Sequence, residues 1–313
     1  MMAAAAQVFR SGATALITGA ASGKSAKDLD SSKLHTDPTV SGVGLAVAKL
    51  CASHSMNLFL VDNNTEKLKD ALKTIQSSSK GTTQIHPMDV GKLEDWNALK
   101  HKVESDGTKL DLLHLNAGIG LKSDWTDSAY FHKIFDVNFF GVVNGINTFF
   151  PHFDGNSKEQ KAIIVTGSKQ GITNPPGNPA YNASKSAVKT IAEHLHFDLS
   201  KSSPKTSVHL LVPGWTFTGL TGGGKTTTKP DGAWAPEQVA DYLYQKMSED
   251  KFYVICPDND VDWETDRRRM TWTMGDVVYE RKPQSRWLDE FKDEANETMG
   301  KMHLGAKQAG SSS

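Results

Sequence analysis

Cysteine is scarce in this chain of 313 residues: there are 2, Cys51 and Cys256, far apart and without metal-ligand spacing. That excludes a disulfide scaffold and a cysteine-based zinc site, and it fits small buried hydrophobes in a reducing, cytoplasmic setting. No stretch approaches the roughly 18 apolar residues of a membrane span. The alanine-rich Met1–Gln7 is too short for a signal peptide and lacks its charged flank. Neither sign of charge dominates, with 35 Lys+Arg against 36 Asp+Glu, so nucleic acid is not the partner this composition selects. The 11 histidines show no ligand spacing; His194 and His196 fall on different faces of one helical pattern. With 38% hydrophobic residues the chain can still bury a sizeable core, and a soluble globular protein survives these exclusions.

Short apolar runs alternate with helical patterns. The runs Ala13–Thr18, Asn57–Val61, Thr83–His86, Leu110–Leu115, Ala162–Thr166, Ser207–Val212 and Phe252–Cys256 include several that are apolar almost throughout, as strands covered on both faces are. Between them lie Gly44–Ser53, Thr65–Ser77, Lys92–Ser105, Ser128–Phe150, Tyr181–Lys201 and Pro236–Ser248 with helical spacing. This alternation predicts right-handed crossovers and an α/β, doubly wound parallel sheet of about seven strands with helices on both faces. A single domain over 13–300 is expected, after a lead of residues 1–12 and before a small, polar tail, 301–313, that frays. Two polar segments break the rhythm, Lys24–Gly42 and Trp215–Ala235, and both fall at the carboxyl ends of strands, where such sheets bind ligands. The second, with Pro230 near its end and Pro236 just beyond it, reads as a lid over a substrate.

After the first strand comes Thr18-Gly19-Ala20-Ala21-Ser22-Gly23. A glycine turn between strand and helix lets the backbone approach a pyrophosphate, whose charge the helix N-terminus stabilises. Here the expected continuation appears only at Val43-Gly44-Leu45-Ala46. Removal of Lys24–Gly42 would restore an uninterrupted turn over Gly19, Ser22, Gly23, Val43 and Gly44. The segment is either an insertion or a translated intron, since Gly23-Lys24-Ser25 can be encoded with a splice donor and Ser41-Gly42 with an acceptor in the same frame. Asp62 ends the second strand; a carboxylate there accepts hydrogen bonds from a ribose diol and repels a 2′-phosphate, which favours NAD over NADP.

Tyr181-Asn182-Ala183-Ser184-Lys185 opens a long helical pattern, and its i, i+4 spacing puts Tyr181 and Lys185 on one face. An ammonium beside a phenol lowers a pKa that is ~10 when unperturbed, making the tyrosine a usable acid or base. With Ser168 upstream, Asn138 in Val137-Asn138-Phe139, Asn116-Ala117-Gly118 after the fourth strand, Asp89-Val90, and Pro213-Gly214 through Thr216 and Thr218, the chain resembles the short-chain dehydrogenase/reductase family from about Ala13 to Cys256.

The resemblance implies a Rossmann-type fold and hydride transfer between NAD and an alcohol or carbonyl substrate of small size, in a homodimer or homotetramer. It assigns Tyr181 the hydroxyl proton, Ser168 a hydrogen bond to the carbonyl oxygen, Lys185 the tyrosine pKa and the nicotinamide ribose, and Asn138 a water leading to solvent. Gly19, Ser22, Gly23, Val43, Gly44, Asp62, Asp89, Val90, Asn116, Ala117, Gly118, Pro213, Gly214, Thr216 and Thr218, with Tyr181 and Lys185, become the cofactor contacts. Leu115 stands where relatives often carry asparagine, which predicts one fewer polar contact. The alternative is an inactive Rossmann-fold interaction protein whose interrupted turn holds no cofactor.

Three features are set aside. Gly219–Thr226 fits a P-loop pattern but runs toward Pro230 without a helix. Arg267-Arg268-Arg269, preceded by Asp262, Glu264 and Asp266, reads as a salted helix face. Trp215 is a pocket candidate, whereas Trp234, Trp263, Trp272 and Trp287 read as core or subunit contacts.

Overall fold

Seven strands pair in parallel: Thr14–Thr18 (β1), Asn57–Asp62 (β2), Thr83–Pro87 (β3), Leu112–Leu115 (β4), Lys161–Thr166 (β5), Thr206–Val212 (β6) and Tyr253–Ile255 (β7). Their order is β3-β2-β1-β4-β5-β6-β7. The protein is described from a computed structural model covering residues 4–21, 42–77, 79–120, 123–221 and 228–305. Every residue of β1 and β4 is buried, as the unbroken apolar runs of a sheet covered on both sides require. Alternate residues of β1 enter separate cores: Ala15 and Ile17 join one cluster, and Leu16 joins the other.

The first core lies under Val43–Ser53 (α1), Thr65–Gln76 (α2) and Pro236–Ser248 (α8). The second lies under Leu93–Ser105 (α3), Gly141–Phe153 (α5) and Pro179–Ser202 (α7), where Trp96, Leu99, Phe149 and Val188 meet the sheet. The strand order reverses between β1 and β4, which opens a crevice at their carboxyl ends. Among the described residues no helix is long and apolar enough to cross a membrane. Cys51 and Cys256 are free and buried, and burial pushes both thiols up to about 12.

The helix expected over Ser128–Phe150 is divided. Ser128–Phe135 (α4) and α5 flank a π-helical turn, Asp136–Phe140, centred on the buried Asn138. Extra backbone in such a turn rotates one side chain out of helical register. Here that side chain reaches the Ile119 backbone, accepting from its N–H at 2.8 Å and donating to its carbonyl at 3.0 Å. The reason for the break is thus a contact from another part of the chain, which helical periodicity does not carry.

The C-terminal region contains two helices, Trp263–Val278 (α9) and Lys292–Lys301 (α10). Asp262 caps α9 through the Thr265 N–H at 2.8 Å, and Glu264 pairs with Arg267 and Arg268, as a salted face would. Asp266 departs from that expectation: it is buried and turns inward. Lys301 also departs from the expected frayed tail, since it closes α10, while residues 306–313 lie outside the described residues. Trp272 is core, with its indole N–H donated to Ser285 at 2.8 Å.

Candidate active site

A cavity of about 990 Å³ occupies the crevice, at the upper end of the roughly 300–1,000 Å³ usual for ligand sites. Gly19, Val43, Asp62, Asp89, Val90, Asn116, Ala117, Gly118, Ser168, Tyr181, Lys185, Pro213, Gly214, Thr216 and Thr218 all line it. Gly44 and Asn138 stand behind this lining and shape it. Ser22 and Gly23 lie outside the described residues, as do 24–41 of the interrupting segment. Of the expected lid, 215–221 and 228–235 are described, and it contributes Trp215, Thr216, Thr218, Leu220 and Thr221 to the wall. Its two ends are tied together, with the Trp234 N–H donated to the Trp215 carbonyl at 2.9 Å and the Phe217 N–H to the Trp234 carbonyl at 2.8 Å. Gly219–Thr221 forms one 3-10 turn, and residues 222–226 of the P-loop pattern lie outside the described residues.

The phosphate end is built by close backbone packing. Gly19 has φ +65°, and a Cβ on Gly44 would lie 2.4 Å from the Gly19 carbonyl oxygen and 2.6 Å from Asn116 Nδ2. Only glycine fits that contact. Gly42, which was not among the expected site residues, precedes α1 in extended conformation and lines the cavity. The signal for it was present: Ser41-Gly42 repeats Ser22-Gly23 directly before Val43-Gly44. Asp62 sits at the end of β2, its carboxylate accepting from the Ala21 N–H at 3.1 Å and the Asn64 N–H at 3.1 Å. A glycine cradle at a helix N-terminus, with a carboxylate one strand away, fits a nicotinamide dinucleotide.

The β1–β4–β5 floor is pinned by polar contacts despite Leu115. Thr18 Oγ1 accepts from the Asn116 and Ala117 N–H groups at 2.9 and 3.0 Å, and Asn116 Nδ2 donates to the Thr18 carbonyl at 3.1 Å. Thr166 Oγ1 donates to Asn116 Oδ1 at 3.2 Å, with His114 Nε2 3.0 Å from the same hydroxyl. Leu115 is simply buried, and its neighbours make the polar links.

Tyr181 reaches the cavity from the first turn of α7, which Asn178 caps and Pro179 starts. Ser168 lines the same cavity wall as Tyr181. Burial pushes the phenol up, and the nearby Ser168 side chain only partly opposes this. That corrects the expectation of a lowered pKa. The Lys185 ammonium stands 6.0 Å from the Tyr181 ring centre and donates instead to the Thr166 carbonyl at 2.9 Å. Ser184, between them in sequence, accepts from Asn138 Nδ2 at 3.1 Å and donates to the Tyr181 carbonyl at 2.8 Å. A Cβ placed on Gly118 would lie 3.3 Å from Asn138 Oδ1 and 3.6 Å from Lys185 Nζ, so these two groups converge on one small space.

Lys185 is itself buried, and desolvation pulls it down to about 8. The unfolded chain holds that proton up to about pH 10.4, so folding carries a penalty that is full below pH 8 and fades as pH rises. Lys185→Met is expected to be more stable than the parent by roughly 2–3 kcal/mol at pH 7. Most of that gain should disappear by pH 10.5, as urea unfolding at the two pH values would measure; an equal or opposite difference at pH 7 would contradict the assignment.

The sequence profile of the family described as short chain dehydrogenase matches residues 39–228. The match takes in Ser41-Gly42-Val43-Gly44 and leaves Gly19 outside. An uncharacterised oxidoreductase of Listeria innocua is 32% identical over 181 residues, spanning 55% of this chain and 69% of the relative. An 11-beta-hydroxysteroid dehydrogenase of Pinus massoniana is 29% identical, over 58% of this chain and 51% of its own. A short-chain dehydrogenase/reductase from Burkholderia phymatum, solved in complex with NAD, superposes with a TM-score of 0.72 at 25% identity, covering 87% of this chain and 96% of its own. An alcohol dehydrogenase from Thermococcus sibiricus, solved with 5-hydroxy-NADP, has the same fold, with a TM-score of 0.62, 21% identity, and coverage of 75% and 90%. With its parallel seven-stranded sheet, its glycine cradle and this match over more than half its length, the chain belongs to the short-chain dehydrogenase/reductase family.

Proposed function

We propose that the protein is an NAD-dependent oxidoreductase that interconverts a small-molecule alcohol and its carbonyl compound, using Ser168, Tyr181, Lys185 and Asn138. The observation that carries this is the convergence in one cavity of Ser168, Tyr181, the buried Lys185 and the Gly19–Gly44 cradle. When bound, the dinucleotide supplies or takes the hydride. The chain's own residues do the rest. Asp62 accepts hydrogen bonds from the adenosine ribose diol, while Asp89 and Val90 wall the adenine side. Asn116, Ala117 and Gly118 form the floor, and Pro213, Gly214, Thr216 and Thr218 flank the nicotinamide end.

Ser168 donates to the carbonyl oxygen, where negative charge develops. Tyr181, held protonated at neutral pH by its burial, gives its proton to that oxygen in the reducing direction. Lys185 holds the nicotinamide ribose, and its positive charge offsets the phenolate left on Tyr181. Asn138 and Lys185 share the space beside Gly118, where a water would relay the returning proton. Because the phenol must ionise before it can act as a base, oxidation should speed up with rising pH, whereas reduction should not.

Trp215, Ile119 and Leu220 give the substrate side an apolar wall, suited to a medium-sized apolar alcohol or ketone. The same reading takes the protein to be cytoplasmic and a homodimer or homotetramer, which light scattering would test. The coenzyme assignment is tested with Asp62→Ala. The parent is expected to reduce a panel of aromatic and alicyclic ketones with NADH in preference to NADPH. The variant should lose at least about tenfold of that preference, because each extra 1.4 kcal/mol of discrimination is worth a factor of ten. An unchanged preference would remove Asp62 from the coenzyme site.

A further inference from the structure

We infer that Lys169, Asp258 and Asp266 form a positioning clamp that locks the Gly214–Trp215 wall of the cavity to the serine-bearing loop and to α9. The three residues come from three places: the loop after β5, the loop after β7, and the first turn of α9. Lys169 Nζ lies 2.5 Å from Asp266 Oδ2 and 3.4 Å from Asp258 Oδ2. The side chains of Asp258 and Asp266 are only 6% and 4% exposed, and that of Lys169 18%, so the charges are withdrawn from solvent. Asp258 Oδ2 also accepts the Trp215 N–H at 3.0 Å, while its Oδ1 holds its own loop through the Asp260 and Val261 N–H groups at 3.1 and 2.9 Å.

Gly214 is pressed against this cluster. A Cβ there would lie 2.7 Å from Asp258 Oδ2, 3.0 Å from Lys169 Nζ and 3.0 Å from the Cys256 carbonyl oxygen. A second strap runs parallel, from Gln284 Nε2 to the Asn174 carbonyl at 3.0 Å, and joins the segment after α9 to the residue that ends the short helix Gln170–Thr173.

Buried ion pairs of this kind contribute little net stability compared with apolar residues of the same size; what they can supply is a fixed relative placement. Here the placed objects are the loop of Ser168 and the wall of Trp215, both of which line the cavity. Asp258 and Asp266 lie beyond residue 228, where the family match ends. The C-terminal region of this chain is therefore part of the substrate site through charge, and Lys169, although it faces the cavity, is already neutralised. Lys169 is therefore not an unpaired cation that an anionic substrate could use.

The inference extends the proposed oxidoreductase site, and its test is separable from that function. Hydrogen–deuterium exchange read by mass spectrometry would compare the full chain with Asp266→Asn and Lys169→Met. The clamp predicts exchange at least tenfold faster in peptides spanning 213–217, with 162–166 and 208–212 unchanged as a measure of intact β5 and β6. It also predicts, for NADH-dependent reduction of the ketone panel by Asp266→Asn, a ketone KM raised at least fivefold with kcat within twofold. Unchanged exchange at 213–217 in Asp266→Asn would overturn the clamp, and so would an increase spread equally over β5 and β6. If the parent chain turns over no ketone, the proposed activity fails, while the exchange result still decides the clamp. If Lys169→Met does not fold, Asp266→Asn alone decides it.

Discussion

Tyr181→Phe removes a single oxygen, and turnover is expected to fall by about 10³-fold or more while NADH affinity stays within about threefold. Tyr181 lines the cavity together with Ser168 and is the only phenol among the described residues of its wall. Ser168 can donate a hydrogen bond to the carbonyl oxygen but cannot give up its proton at neutral pH. The phenyl ring keeps its place at the start of α7, because Asn178 and Pro179 set that helix end through the backbone. Steady-state rates and a fluorescence titration of the same preparation separate the two effects. Retained turnover would remove Tyr181 from the proton path; joint loss of turnover and binding would mean that the hydroxyl supports the cofactor site and does not act in proton transfer alone.

Gly44→Ala is the second large effect. Within a helix, exchange of glycine for alanine ordinarily stabilises by about 0.5–1 kcal/mol. At Gly44 the sign reverses, because the new methyl would meet the Gly19 carbonyl oxygen at 2.4 Å and Asn116 Nδ2 at 2.6 Å. The first of these is backbone and cannot rotate away. The α1 N-terminus must withdraw from the β1 turn, and overpacking of this kind costs about 1–3 kcal/mol. The withdrawn helix no longer presents its N–H groups to the pyrophosphate, so NADH affinity should drop at least about tenfold. Urea unfolding and NADH titration measure the two losses, and a variant as stable and as tightly binding as the parent would refute the close approach.

How far these features could be read in advance differs from element to element. The seven strands and their parallel order follow from apolar runs of strand length between helical patterns, because burial on both faces leaves that trace in the residues themselves. Tyr181 and Lys185 carry recognisable local spacing, Ser168 and Asn116 are marked by the family resemblance, and the fold brings all four to one cavity. The π-helical turn at Asn138 leaves no such trace, since its cause is the Ile119 backbone elsewhere in the chain.

Asp266 was misread for a related reason. Its neighbours Glu264, Arg267 and Arg268 do make a salted surface, but Asp266 turns toward a lysine about a hundred residues away. Spacing cannot distinguish an acid that faces water from one that faces a distant partner. The pKa of Tyr181 failed on magnitude: the spacing correctly put Lys185 one turn along, yet desolvation outweighs an ammonium that points to Thr166. Gly42 was legible, as the second copy of Ser-Gly before Val43-Gly44, and only the first copy was given weight.

With residues 24–42 in place, this chain is expected to hold a nicotinamide dinucleotide between Gly19, Gly42 and Gly44. The most direct measurement is an NADH fluorescence titration of the full 313-residue chain beside one lacking Lys24–Gly42. Saturable binding by the full chain is the predicted result, with Gly42 serving at the entrance to α1. Binding by the shortened chain alone would contradict it and would make the interrupting segment a translated intron or an inactivating insertion; binding by neither would reject the dinucleotide site altogether.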